Sequence, residues 1–292
     1  MTQVIEKLGG EYQSRTGLHG FAIRCVTAPP TRRSQGPCNP CYFVAQGGLL
    51  CCDVLLWPRF CGKTDSYELN ERVYTMSDYS ARRTMMVDTQ VRPSDVTKFP
   101  ILEAMLEVPR ESYVPDNKRE EAYVSENVVL GASRVMLEPR TFAKLLDALD
   151  IDPNEVILDI GCGLGYSTAV IARLADAVVA IEEDADMAAE AQAILSGNDV
   201  DNAAVIEGVM AEGAAKHGPY DVIILEGAAE QVPAAILEQL KEGGRIGCIF
   251  MEGALGMARI GYKIDGDVAW RFAFNAAAPI LPGFEKRKTF VL

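Results

Sequence analysis

The stretch VILDIGCGLGYS, residues 156–167, sets Gly161, Gly163 and Gly165 at every second position behind an apolar run that carries Asp159. Glycines adopt positive φ and let a ligand approach the backbone closely. A second acid, Glu182, closes the next apolar run about twenty residues on, where a carboxylate suits the two hydroxyls of a ribose. A dinucleotide fingerprint would read GxGxxG, with a pyrophosphate on the following helix. Here the spacing is GxGxG and position 166 is Tyr. Asp159, two residues before the first glycine, repels a pyrophosphate and attracts an ammonium or a sulfonium. S-adenosylmethionine carries both cations and no phosphate, so the pattern favours it over NAD or FAD. Cys162 belongs to the same cofactor-binding set as a small side chain, since no partner in the sequence marks it as a nucleophile.

The elements that must hold this turn are legible from Met76 onward. Pro100 opens a helix with Ile101, Leu102, Met105 and Leu106 as its apolar stripe, and Pro139 opens another with Phe142, Leu145, Leu146 and Leu149 on one face. Strands and helices then alternate. VILDI leads to YSTAVIARLA, AVVAIEE to DMAAEAQAIL, and AAVIEG to a weak glycine-interrupted segment. YDVIILEG then leads to VPAAILEQLK, and RIGCIFME follows Gly243 and Gly244. That order predicts right-handed crossovers and a doubly wound, mostly parallel sheet of seven strands, Rossmann-like, preceded by N-terminal helices. ARIGYKI, DGD and VAWRFAFN predict a closing antiparallel hairpin around Asp265-Gly266. Trp270, Phe272 and Phe274 alternate on its last strand and are expected in the core. Ligands of such sheets bind beyond the carboxyl ends of the strands, where the glycine turn lies.

Composition bounds the partners. The chain has 292 residues, 49% hydrophobic, with a net charge of -13, so it lacks the basic footprint for nucleic acid or an anionic membrane surface. No apolar run approaches about twenty residues, and MTQVIEKLGG lacks the apolar core of a secretory signal, so a cytoplasmic protein is expected. A monomer or weak homo-oligomer is expected.

Residues 1–75 read differently. Net charge is +2 there and -15 in the remainder, and Cys25, Cys38, Cys41, Cys51, Cys52 and Cys61 all fall in this part. Neither a helical nor an alternating period persists. Cys38 and Cys41 form a CxxC that raises a zinc reading, but no second CxxC or His pair completes it. The segment is expected to be a poorly patterned extension, disordered or outside the native product, and no metal is expected. Residues 76–292 are expected to form the working domain.

That domain resembles the protein-L-isoaspartate O-methyltransferase family, within the class I methyltransferases. MVDTQVRPSDVTKFPILEAMLEVPRESYVP resembles its N-terminal helical block, EEAYVSENVVL the following segment, and LDIGCGLGYSTAVIA its LEIGTGSGYxAAxLA. GPYDVIILEGAAEQVPAAILEQLKEGGR is similar to its PYDxIxVxAAxxxIPxxLxxQLxxGGR. The resemblance implies S-adenosylmethionine as methyl donor. The acceptor it implies is the free carboxylate of L-isoaspartyl (D-aspartyl) residues in damaged proteins, a repair activity. It implies that Asp159, Gly161, Gly163 and Gly165 line the methionine end of the cofactor and that Glu182 holds the ribose. Where the family has QTISQP with its assigned active-site Ser, this chain has SRVMLEP, with Leu137 in the Ser position. AYxD reads AYVS with Ser125, and GDG reads Glu207-Gly208-Val209.

The chemistry tolerates that change. An acceptor carboxylate is ionised at neutral pH and needs no general base, so alignment with the methyl carbon does most of the work. His217, the one histidine of the domain, is read as a structural loop residue at the far edge. Arg134 and Arg140 flank the divergent segment, and either could pair with an acceptor carboxylate; Glu138 between them would repel one. Two alternatives stay open: a methyltransferase of the same fold with another acceptor, and a non-catalytic S-adenosylmethionine-binding module.

Overall fold

A computed structural model of the chain describes residues 78–286 other than Ala132. The extension and the zinc reading of Cys38 and Cys41 lie outside the described residues.

Helices α1 (Tyr79–Met86) and α2 (Phe99–Glu107) come first. Asp78 caps α1 by accepting from the Ala81 amide, and Pro100 stands in the first turn of α2. Strands β1 (Val128–Gly131) and β2 (Arg134–Met136) pair antiparallel as a separate hairpin. This hairpin is absent from the expected elements because strands of four and three residues are too short to set up an alternation. Helix α3 (Pro139–Leu149) buries Phe142, Leu145, Leu146 and Leu149, and stops at Asp150 in the left-handed region. Each such side chain contributes about 1.5–3 kcal/mol by leaving water.

The sheet follows. Its members are β3 (Val156–Ile160), β4 (Ala177–Glu182), β5 (Ala203–Glu207), β6 (Tyr220–Ala229), β7 (Leu240–Glu252), β8 (Leu255–Ile264) and β9 (Asp267–Asn275). Helices α4 (Tyr166–Ala172), α5 (Ala185–Gly197) and α6 (Ala234–Glu238) connect them. The order is β5-β4-β3-β6-β7-β8-β9, with β3 to β7 parallel and β8 and β9 antiparallel. The expected doubly wound sheet and closing hairpin are both present. Chain order reverses between β3 and β6, which makes their carboxyl ends the switch point.

Strand alternation splits the core in two. Ile157, Val178, Val222 and Ile224 pack with the N-terminal helices and α4 on one face. Leu158, Ile160, Ile181, Ile223 and Leu225 pack with α6 on the other. Asp159, Glu182 and Glu226 have the parity of the first set, so three acids project from the carboxyl ends of adjacent strands onto one face.

Two expectations need correction. Helix α6 is confined to Ala234–Glu238, because Pro233 caps its start and Leu240 already pairs with Tyr220 in the sheet. Phe272 is 61% exposed rather than in the core. Ala258 pairs with Phe274 and Arg259 with Phe272, so Ala273 is an extra residue that breaks the alternation. Trp270 packs edge-on against Phe250 at 4.8 Å, and Phe274 is buried.

Candidate active site

The turn after β3 is left-handed at Gly161, Gly163 and Gly165, with φ of 79°, 57° and 91°. Only glycine takes these values without strain. Asp159 is fully buried just before it. Its Oδ2 accepts from the hydroxyls of Ser167 and Thr168, both at 2.7 Å, while Oδ1 has no partner. Burial lifts this carboxyl to about 6, against the pull of the two hydroxyls.

Glu182, at the end of β4, is also fully buried, and every contact it makes is to a donor. The amides of Gly163, Glu183 and Asp184 donate to it at 3.0, 2.9 and 3.2 Å. Arg134 Nε reaches both its oxygens, at 2.9 and 3.1 Å. Arg134 is 5% exposed, so this is a buried ion pair between the β1–β2 hairpin and the end of β4.

A third acid was not among the sequence candidates. Glu226 on β6 is 5% exposed and its Oε1 has no partner. Burial pushes its carboxyl well above the usual carboxylate range; the Asp159 charge adds to this and the Arg110 guanidinium opposes it. A single acid inside the apolar run VIILEGAA is the signal that could have found it. Arg110 carried no such signal. It is fully buried, donates from Nε to the Ala122 carbonyl and from Nη2 to the Leu137 carbonyl, and stacks 4.6 Å from the Tyr166 ring centre.

A cavity of about 10 Å³, room for one water, lies beside the turn. Tyr113, Leu137, Cys162, Tyr166, Ser167 and Glu226 are among its walls. In this corner Tyr113 Oη, Tyr166 Oη and Arg110 Nη1 join the two carboxylate oxygens as buried polar atoms without partners. Each such atom costs about 1–3 kcal/mol unless a ligand or water satisfies it. Two open carboxylate oxygens beside a bare glycine turn suit a cationic ligand, and the donor set fits the methionine end of S-adenosylmethionine. The available space is another matter. A Cβ on Gly163 would lie 2.6 Å from Leu130 Cδ1, so the end of the Leu130 side chain of β1 lies over the turn, and it must turn aside for a ligand to reach the backbone there.

The remaining candidates fall as follows. Leu137 is buried against the cavity. Glu138 precedes α3 and accepts from the Thr141 hydroxyl at 2.5 Å. Arg140 lies 3.7 Å from Glu138 with its side chain 44% exposed. Of the two arginines flanking the divergent segment, Arg134 is committed to Glu182 and Arg140 keeps most of its donors. Burial raises the Cys162 thiol well above its ordinary pKa, so it stays protonated and is no nucleophile. His217 is exposed in a short turn just before β6, at the opposite end of that strand from Glu226.

A family model described as Protein-L-isoaspartate(D-aspartate) O-methyltransferase matches residues 82–253. Protein-L-isoaspartate O-methyltransferase of Syntrophus aciditrophicus (strain SB) is 37% identical over 171 residues, 59% of this chain and 78% of that protein. That of Methanoregula boonei is 35% identical, over 57% of this chain and 77% of its own length. Among solved structures, a protein-L-isoaspartate O-methyltransferase aligns at TM-score 0.61 and 22% identity, over 70% of this chain and 66% of its own. A Plasmodium falciparum beta-aspartate methyltransferase in complex with S-adenosyl-L-homocysteine aligns at 0.59 and 18%, over 70% and 97%. At these identities the structures speak to the fold.

Proposed function

Because the chain belongs to the protein-L-isoaspartate(D-aspartate) O-methyltransferase family, we propose that it methylates the free carboxylate of L-isoaspartyl (D-aspartyl) residues in damaged proteins and peptides. S-adenosylmethionine is the methyl donor. The observation that carries this reading is the family match over residues 82–253, which takes in the glycine turn and all three acids of the site.

The chain's own residues divide the work. Asp159 and the glycine turn receive the cationic end of the cofactor, and Glu182 receives the ribose once Arg134 has left it. The chemistry the cofactor supplies is a methyl carbon already activated by its sulfonium. The acceptor carboxylate arrives ionised, which accords with the absence of histidine from the described site. Holding it in line with the methyl carbon is the main catalytic task, worth several kcal/mol of barrier. Arg140 is the residue assigned to the acceptor carboxylate, since it remains exposed three residues along the chain from Leu137, which lines the cavity. Where the family has its Ser, Leu137 offers no hydroxyl, and this favours a second reading: the same transfer to a different acceptor. No described helix is long and apolar enough to cross a membrane.

The test uses labelled S-adenosylmethionine and paired peptides, one with isoaspartate and one with aspartate. Base-labile methyl ester on the isoaspartyl peptide alone supports the proposal. Cofactor binding without transfer to either peptide would move the reading to another acceptor.

A further inference from the structure

Glu226 has an open oxygen but holds none of the groups assigned to Asp159, Glu182 and Arg140. It stands on β6 one residue past the last pair with β3, Ile160 with Leu225, and so beside the glycine turn. It lines the cavity together with Cys162, Ser167, Tyr113 and Leu137. Cys162 and Ser167 belong to the cofactor turn and its helix, and Leu137 belongs to the acceptor segment. The cavity therefore lies where donor and acceptor must meet. Glu226 points an unpartnered oxygen into that corner while 5% exposed. Among the described residues Glu226 forms no ion pair, although the Arg110 guanidinium is near enough to act on it, so a cation brought into that corner meets an open carboxylate oxygen.

We propose that Glu226 is a specificity residue that recognises the sulfonium charge of the methyl donor, and so favours S-adenosylmethionine over its neutral thioether product. The inference rests on the cofactor reading above and goes beyond it. Asp159 and Glu226 then divide the two cations: Asp159 takes the ammonium, present in donor and product alike, and Glu226 takes the charge that disappears when the methyl leaves. Loss of that charge leaves Glu226 with only the Arg110 guanidinium near it, which favours release of the product.

The experiment is calorimetric titration of the full chain with S-adenosylmethionine, S-adenosylhomocysteine and the analogue bearing an amine-carrying carbon in place of the methyl sulfonium. Glu226→Gln keeps the shape and removes the charge. It is expected to weaken S-adenosylmethionine and the amine analogue by about tenfold or more, the range of a lost charge-assisted bond. S-adenosylhomocysteine should change by less than about twofold, and its binding also shows that the variant folds. Asp159→Asn should weaken all three alike. An unchanged ratio of donor to product affinity in Glu226→Gln would overturn the role of Glu226 while leaving the cofactor reading intact. Binding of none of the three to the wild-type chain would overturn both.

Discussion

Asp159 is an acid held out of water with one oxygen open, and its protonation governs what it can attract. The folded-state value of about 6 lies above the ordinary value near 4. In the ligand-free protein a raised acid favours the fold when protonated; that contribution is present below pH ~4 and lost as pH rises through ~6. For a cationic ligand the sign reverses. Below pH ~6 the carboxyl takes up a proton and the attraction goes, so cofactor affinity is expected to fall between pH 7.5 and pH 5. Calorimetry at the two pH values checks this, and equal affinities would remove Asp159 from the cationic end. A second residue-scale prediction concerns Arg140. Arg140→Ala should raise KM for an isoaspartyl peptide by about tenfold, the loss of one forked ionic contact, with the cofactor Kd unchanged. Asp159 and Glu182 were legible because each ends an apolar run at a spacing tied to the glycines. Glu226 and Arg110 were not, because a buried unpaired acid and a buried stacked arginine follow no period and are defined by neighbours distant in sequence.

The hairpin β1–β2 is the element that touches both positions proposed for the cofactor. Arg134 holds the carboxylate assigned to the ribose, and Leu130 covers the assigned glycine turn. Removing Arg134 has two opposite effects. It strands the buried Glu182 in the ligand-free protein, where breaking a buried pair costs about 3–5 kcal/mol. It also removes the competitor for the ribose. Arg134→Met is therefore expected to melt several degrees lower than the wild type when free and to bind S-adenosylmethionine more tightly. Hydrogen exchange should rise across residues 128–136 when the wild type binds cofactor. Slower exchange there, with weaker binding by Arg134→Met, would make the hairpin part of the bound site instead of its cover. Longer elements were readable from sequence because period and caps repeat over several turns, as in α3 and β3. The hairpin is too short to show a period, and its role depends on Glu182, 48 residues away.

At the scale of the molecule, one sheet does two things. Its central strands are apolar on both faces, which fixes a rigid scaffold, and its order reverses between β3 and β6. Three acids then gather there because Asp159 and Glu182 stand near the ends of β3 and β4, Glu226 stands one residue past the last β3–β6 pair, and all three share one parity. The alternation of strands and helices made this architecture readable in advance, down to the Asp265-Gly266 hairpin with φ of 54° and 84°. The fault in alternation at Ala273 was not readable, since a bulge leaves no mark in composition. A ligand that binds only the folded chain also stabilises it. At 100-fold excess over Kd, S-adenosylmethionine should add about 2.7 kcal/mol and raise the melting temperature by a few degrees.

The identity of the acceptor is decided by one measurement: transfer of labelled methyl from S-adenosylmethionine, by the full chain, to an isoaspartyl peptide and its aspartyl twin. Base-labile label on the isoaspartyl peptide alone is the predicted result, and it would show that Leu137 serves where the family has Ser. No label on either peptide, from a protein that binds the cofactor in calorimetry, would contradict the repair function while leaving the fold and the cofactor site in place.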